Sequence, residues 1–161
     1  MSNARSRRRG PRPSSPEAKR RMERTRRRDT RPELELRRCL YALGVRGYRI
    51  DAKVIDGLRR RADIVFRRLR LAIYVDGCFW HGCPEHATWP KANAAFWRDK
   101  IETNRCRDRD TNEKLAGAAW YVIRIWAHVD PVSAAETVST LVFDRRKTPR
   151  SNLDSGLLVI S

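Results

Sequence analysis

The sequence predicts an α/β fold, a mixed β-sheet flanked by helices, and three observations predict it. Two short runs rich in β-forming residues, 62–66 and 71–76, are separated by the basic turn Arg67-Arg68-Leu69-Arg70 and read as a hairpin. A further run, 120–126, is reached only after a long polar stretch at 93–117 that reads as a helix. Upstream, Leu36, Leu40 and Leu43 recur at helical spacing. The predicted order is helix, three strands, helix, strand, helix, which suits an α/β sandwich around a mixed sheet.

Each element has a local reason. Thr30-Arg31-Pro32-Glu33 reads as a capping box, with Glu33 three residues after a Thr N-cap, and Gly44 ends the helix it opens. Residues 48–54 form a weak strand before the hairpin. Residues 78–90 read as a loop, with two Cys, two His, two Trp and two Pro. Trp120 and Trp126 belong to a strand and are assigned to the core. Residues 132–143 close the fold as a helix, and the chain carries no internal repeat.

Composition narrows the partners. The 161 residues favour one domain, and 40% hydrophobic residues suffice for a core. Against 19 Asp+Glu stand 36 Lys+Arg, a formal net charge of +17. Such an excess points to a polyanion, with nucleic acid ahead of an acidic membrane surface. Residues 1–30 alone hold 12 Lys+Arg and three acids. Residues 1–15, with Gly10, Pro11 and Pro13, are expected to be a disordered basic arm, and 16–28 a basic helix on DNA at the head of a domain spanning 16–161. No apolar run approaches the length of a membrane span. The Arg-rich start has no apolar stretch behind it, so it does not read as a secretory signal, and it is too poor in apolar residues for a transit peptide. The expected location is the cytoplasm. Four Cys in a reducing compartment are first tested as metal ligands.

Four groups of residues could carry chemistry. Asp63 opens one strand of the hairpin and Asp76 ends the other, so the two carboxylates could share one Mg²⁺, or they could simply pair with Arg59, Arg60 and Arg61. Cys78, Cys83 and His86 have compact metal-ligand spacing, and His128 could complete a structural Zn²⁺ site; otherwise they are reduced thiols and scattered imidazoles. Phe79, Trp80, Trp89 and Trp97 are either packing residues or a surface for stacking on bases. Lys100, Asn104, Arg107 and Asp108 share a helix face that is either solvated or turned to DNA, with a carboxylate returning to the site.

The stretches Arg28-Asp29-Thr30…Glu33, Ala62-Asp63-Ile64-Val65-Phe66, Val75-Asp76-Gly77-Cys78-Phe79-Trp80-His81-Gly82-Cys83-Pro84, Phe96-Trp97…Lys100-Ile101…Asn104…Arg107-Asp108 and Trp120…Trp126 together resemble the very-short-patch-repair (Vsr) endonuclease family, from about residue 16 to the C-terminus. The Gly-Cys-Phe-Trp-His core carries most of that specificity. The resemblance implies a restriction-endonuclease-like fold and Mg²⁺-dependent nicking of duplex DNA 5′ to the T of a T:G mismatch, the lesion left by 5-methylcytosine deamination. It also implies a monomer, linked functionally to a DNA cytosine methyltransferase. Asp63 then matches the metal-binding aspartate, Val75 a metal-binding carbonyl, His81 the catalytic histidine, Asp108 its supporting acid and Glu33 a first-helix glutamate near the site. Phe79, Trp80 and Trp97 match an aromatic wedge, Met22 an apolar residue facing the opposite groove, and Lys100 and Asn104 residues that read the mismatched pair.

Three departures stand out. Ala62 replaces a frequent Pro. Val75-Asp76 stands where some members have Thr-His, which makes Asp76 a further candidate Mg²⁺ ligand. The zinc pattern is Cys-x₄-Cys-x₂-His with His128 rather than Cys-x₄-His-x-Cys with a final Cys. Two other readings stay open: an endonuclease for a different modified or mismatched DNA, and a non-catalytic zinc-stapled DNA-binding module.

Overall fold

The computed structural model describes residues 28–161 except 87, 89 and 90. The expected basic arm at 1–15, the helix at 16–28 before its last residue, Met22 and Trp89 lie outside the described residues.

The chain runs α1 (Arg31–Ala42), β1 (Arg49–Lys53), β2 (Arg61–Phe66), a 3₁₀ turn (Arg67–Leu69), β3 (Leu71–Asp76), α2 (Cys78–His81), α3 (Ala94–Gly117), β4 (Tyr121–Trp126), α4 (Pro131–Lys147), a second 3₁₀ turn (Arg150–Asn152) and β5 (Gly156–Ile160). The strands form one sheet in the order β1-β2-β3-β4-β5. β1, β2 and β3 are an antiparallel meander. β3, β4 and β5 are parallel, with a helix in each crossover. The predicted mixed sheet and its hairpin are present. Two elements were not foreseen: 78–81 is a helical turn within the expected loop, and the closing strand Gly156–Ile160 follows the last expected helix.

Side chains alternate across the strands and build two cores. On one face, Leu36 and Leu40 of α1 and Ala135, Val138 and Val142 of α4 pack on Ile64, Leu71, Ile73, Ile123 and Ile125. On the other, Leu115 of α3 packs with Val65, Ala72, Trp120 and Val122. Trp120 is core, as expected, whereas Trp126 is only partly buried. Asp63, Tyr74, Asp76 and Arg124 fall on this second face by the same alternation. The sheet therefore carries its polar residues beneath α3.

The start of α1 differs from a capping box. The Thr30 hydroxyl donates to Glu33 Oε1 at 2.8 Å, and Glu33 Oε2 accepts the Asp29 N–H at 2.9 Å, one residue upstream of the cap. Thr30 makes no side-chain cap to the helix N–H groups. Glu33 is thus fixed and buried beside the sheet rather than spent on the helix end. The other end is as expected. Gly44 has φ +75°, its N–H donates to Tyr41 O, and the Val45 N–H donates to Leu40 O at 2.9 Å. That is a Schellman closure, with Val45 and Leu40 both fully buried at its apolar contact.

Gly44→Ala should therefore destabilise the protein by about 1 kcal/mol through the left-handed backbone alone. Urea unfolding would measure it, and an unchanged midpoint would refute the closure.

Candidate active site and metal centre

The C-terminal end of β3 and the start of α1 frame a cleft of about 730 Å³, lined among others by Glu33, Asp63, Tyr74, Asp76, Trp80, His81, Lys100, Asp108 and Arg124. Residues as far apart in sequence as Glu33 and Arg124 thus meet in one place. Asp63 and His81, on different elements, share this cleft.

Asp63 is held by one strong contact, the Val75 N–H donating to its Oδ2 at 2.7 Å across the hairpin. Burial pushes its carboxyl up to about 7; the Val75 hydrogen bond opposes this, and the charges of Glu33, Asp76 and Asp51 add to it. Among the described residues no Lys or Arg lies within ion-pair distance of Asp63. Arg60 turns instead to Asp110 and Thr111 of α3, and Arg61 to Asp51. The Arg59-Arg60-Arg61 run therefore does not neutralise this acid.

Asp76 is the opposite case. It is buried, and Arg124 Nη1 donates to both its oxygens, at 2.9 and 2.7 Å. Nη2 of the same guanidinium reaches Asp108 Oδ1 at 3.2 Å, and its Nε donates to Asn112 Oδ1 at 3.0 Å. The other oxygen of Asp108 accepts from His81 Nδ1 at 2.6 Å, while Asp76 Oδ1 lies 3.6 Å from that nitrogen. A carboxylate partner at this distance places the imidazole proton on Nδ1 and leaves Nε2 as the free base. Burial disfavours the imidazolium, but the Asp108 hydrogen bond and the charges of Asp76 and Asp108 outweigh it, and His81 is raised above its ordinary range despite Arg124.

Arg124 and Asn112 were missed in the sequence. The available signal was an arginine in the middle of the apolar strand Tyr-Val-Ile-Arg-Ile-Trp. A charge at such a position must find a buried partner.

Helix α3 supplies the roof. Ile101, Thr111 and Leu115 are buried on it, with Asn104 and Asp108 between them at intervals of about one turn, on the same face. Its sheet-facing stripe is thus polar at the cleft and apolar elsewhere. Asn104 Nδ2 donates to Trp80 O at 2.8 Å, and Arg105 Nη2 to Gly82 O at 2.6 Å. Asn104 was expected to read a base pair; here its amide N–H anchors the turn that carries Trp80. Lys100 is exposed at the cleft mouth, and Arg107 is exposed.

Phe79, Trp80 and Trp97 form one edge-to-face cluster, with ring centroids 5.1, 5.3 and 5.9 Å apart, and Phe96 adds to Trp97 at 5.3 Å. All are only partly buried. They form a rigid apolar ridge beside His81.

Behind this ridge the predicted zinc ligands converge. One ligand atom from each of Cys78, Cys83, His86 and His128 lies within 4.8 Å of all the others. Cys78 Sγ is 3.2 Å and Cys83 Sγ 3.7 Å from His128 Nδ1, and Cys83 Sγ is 3.9 Å from His86 Nδ1. Ligands around a tetrahedral Zn²⁺ stand about 3.4–3.8 Å apart, so the donor set fits that ion in both chemistry and spacing. Gly82 (φ +63°) lies between His81 and Cys83, where an added Cβ would meet Ile101 Cγ2 at 2.8 Å. Only glycine lets the loop lie this close to α3.

The cleft also fits a hard cation. It contains a half-buried acid, Asp63, with no cationic partner among the described residues, and Tyr74 Oη on its wall is buried without a hydrogen-bond partner there. A carboxylate in that state is the donor a divalent ion compensates. No described helix is long and apolar enough to cross a membrane.

Comparison with known proteins agrees with this architecture. Residues 15–86 match the family model described as DNA mismatch endonuclease Vsr. The type II nicking enzyme V.NaeI of Lentzea aerocolonigenes is 41% identical over 134 residues, covering 81% of this chain and 80% of the relative. V.XorIIP of Xanthomonas oryzae is 40% identical over 115 residues, 70% of this chain and 81% of the relative. The DNA mismatch endonuclease Vsr of Escherichia coli is 32% identical over 103 residues, 62% of each chain.

The raised Asp63 carboxyl makes a prediction for the metal-free protein. Its folded value lies above the ordinary aspartate value of 3.8, so folding favours the protonated acid. That contribution is complete below about pH 4 and is lost as the pH climbs through about 7, at most on the order of 4 kcal/mol. In EDTA, urea unfolding should show wild-type stability falling between about pH 5 and pH 8, and Asp63→Asn should lose much of that slope. Parallel pH profiles for the two proteins would refute the burial argument.

Proposed function

Because the chain belongs to the Vsr family of DNA mismatch endonucleases, we propose that it nicks duplex DNA 5′ to the T of a T:G mismatch, leaving a 5′-phosphate and a 3′-hydroxyl. One observation carries this reading. An uncompensated acid, Asp63, and an imidazole oriented by Asp108 line the same cleft, beside a ridge of aromatic rings.

Asp63, with the Val75 carbonyl, would hold Mg²⁺. When bound, the cation would neutralise charge on the scissile phosphate. His81 Nε2 takes the proton of the attacking water, and Asp108 stabilises the imidazolium that results. Glu33, fixed by Thr30 and the Asp29 N–H, adds negative charge at the cation's side of the cleft. Asp76 serves in this reading through Arg124 rather than as a direct ligand, because both its oxygens already accept from that guanidinium. Phe79, Trp80 and Trp97 enter the stack beside the mismatch. A T:G wobble costs less to unstack than a matched pair, so deformation energy contributes to selectivity. Lys100 approaches the mismatched pair from the cleft mouth. Asn104 acts by holding Trp80, with its Oδ1 left for the base. Met22 and the basic arm contribute from the opposite groove, mainly as salt-sensitive affinity.

Zn²⁺ on Cys78, Cys83, His86 and His128 would brace the loop that presents the ridge, and with four protein ligands it would have no open position for catalysis. The protein acts as a monomer in the bacterial cytoplasm, at the nucleoid. It repairs lesions generated at the sites of a DNA cytosine methyltransferase.

The deciding experiment is nicking of a T:G duplex with randomised flanks, in Mg²⁺ and in EDTA. Asp63→Ala and His81→Ala should each lower nicking by at least about a thousandfold while the proteins still bind DNA. Matched or otherwise modified duplex cut as fast as T:G would reassign the substrate, and activity in EDTA would remove the cation. Cys83→Ala should release zinc and melt early; a stable, zinc-free, fully active variant would refute the brace. Trp80→Ala should reduce mismatch preference more than affinity, as read by competition between T:G and matched duplex.

A further inference from the structure

We propose that Arg124 is the positioning residue of this site: it locks Asp76 and Asp108 together, and through Asp108 it sets the orientation of His81. The proposal deepens the nuclease reading and rests on it for its kinetic part only.

The geometry is a continuous chain of contacts. Arg124 sits in β4, paired in register with Tyr74 of β3, on the face covered by α3. It is 7% exposed, and its three nitrogens reach three residues on two elements: Asp76 at the end of β3, and Asp108 and Asn112 one turn apart on α3. Its guanidinium also stands 4.9 Å from the Tyr74 ring centroid. The planar fork suits this arrangement: one nitrogen spans a carboxylate while the others point to α3, which an ammonium could not do at once.

Asp76, His81 and Asp108 otherwise crowd their donor atoms within 4.8 Å of one another. Two carboxylates that close repel each other in a low-dielectric site, and each would compete for His81 Nδ1. Arg124 removes that competition. It engages both oxygens of Asp76, leaving that acid 3.6 Å from Nδ1, and it holds one oxygen of Asp108 so that the other lies at 2.6 Å. The histidine thus has one hydrogen-bond acceptor at Nδ1, one tautomer and one ring orientation. The same contacts tie β4 to α3 across the cleft.

The test uses the full-length protein. Arg124→Met should lower kcat on the T:G duplex by about a hundredfold, with Kd for that duplex in EDTA changed less than about threefold. Arg124→Lys should recover only part of the loss, since it restores the charge but not the fork. A second readout does not need activity. In ¹⁵N-labelled wild type at alkaline pH, His81 should give a single Nδ1–H tautomer with a strongly hydrogen-bonded Nδ1 proton. In Arg124→Met that proton signal should broaden and lose its strongly hydrogen-bonded shift, as Nδ1–H is shared between Asp76 and Asp108.

Should Arg124→Met fail to fold, the neutral pair Asp76→Asn with Arg124→Gln removes both charges together. It should fold, remain slow and show a weakened, broadened Nδ1 proton signal, because Asp108 is no longer held. Wild-type kcat in either protein, or an unchanged His81 signature, overturns the proposal. Parallel losses of kcat and DNA affinity in Arg124→Met would also overturn it, by making the residue merely structural. A wild-type protein that does not nick T:G duplex while His81 still responds to Arg124 would instead sink the nuclease reading and leave this one standing.

Discussion

The site depends on one buried guanidinium. A cleft that brings Asp63 and Asp76 of the sheet against Asp108 of α3 and Glu33 of α1 would be unstable as four like charges in a poorly solvated place. Arg124 takes up two of them, Asp76 and Asp108, and Asn112 completes its fork. Breaking such a pair from one side leaves an uncompensated buried charge, commonly at a cost of about 3–5 kcal/mol. Of the other two, Glu33 is met by the Thr30 hydroxyl and the Asp29 N–H, which leaves Asp63 without a cationic partner among the described residues, its carboxyl raised by burial. The protein thus separates its acids by environment: some are neutralised internally, and one is left for an external cation. That division is the pattern expected where structure is spent on chemistry rather than on stability.

The second constraint is the short segment from Gly77 to His86. It cannot bury itself, having one helical turn and little apolar content beyond its two aromatic residues. Side chains of α3 tie it down through Asn104 and Arg105 to the carbonyls of Trp80 and Gly82, and Gly82 permits the close approach. The Cys/His group grips it from the other side by joining it to His128 beyond β4. His81 and the aromatic ridge are adjacent in sequence, so any force that fixes one fixes the other. In the proposed reading this couples the wedging of the duplex to the placement of the base.

Much of the architecture was legible because its causes are local. The meander appears as alternating β-rich runs with a basic turn, the first helix as Leu36, Leu40 and a terminal glycine, and the long helix as an uninterrupted polar stretch. β5 escaped because Leu157, Leu158, Val159 and Ile160 make a short apolar run at an edge with no pairing signal of its own; its parallel partner β4 lies 30 residues upstream. The apparent capping box failed for a related reason. Thr30 and Glu33 do meet, but the buried glutamate serves the cleft, and tertiary placement overrode the local motif.

The sequence by itself determined the residue types and spacings that matter: a compact Cys/His set, a Phe-Trp-His core, an acid opening one strand and another ending the next, and the positive charge that favours a polyanion. It could not decide which acid would be neutralised, because that depends on Arg124 crossing from the neighbouring strand, 48 residues from Asp76. Nor could it tell a solvated helix face from a cleft roof, since Asn104 and Asp108 look alike in either setting until the sheet lies beneath them. Charge–charge energies vary with distance and solvation, and both of those are set by the packed fold.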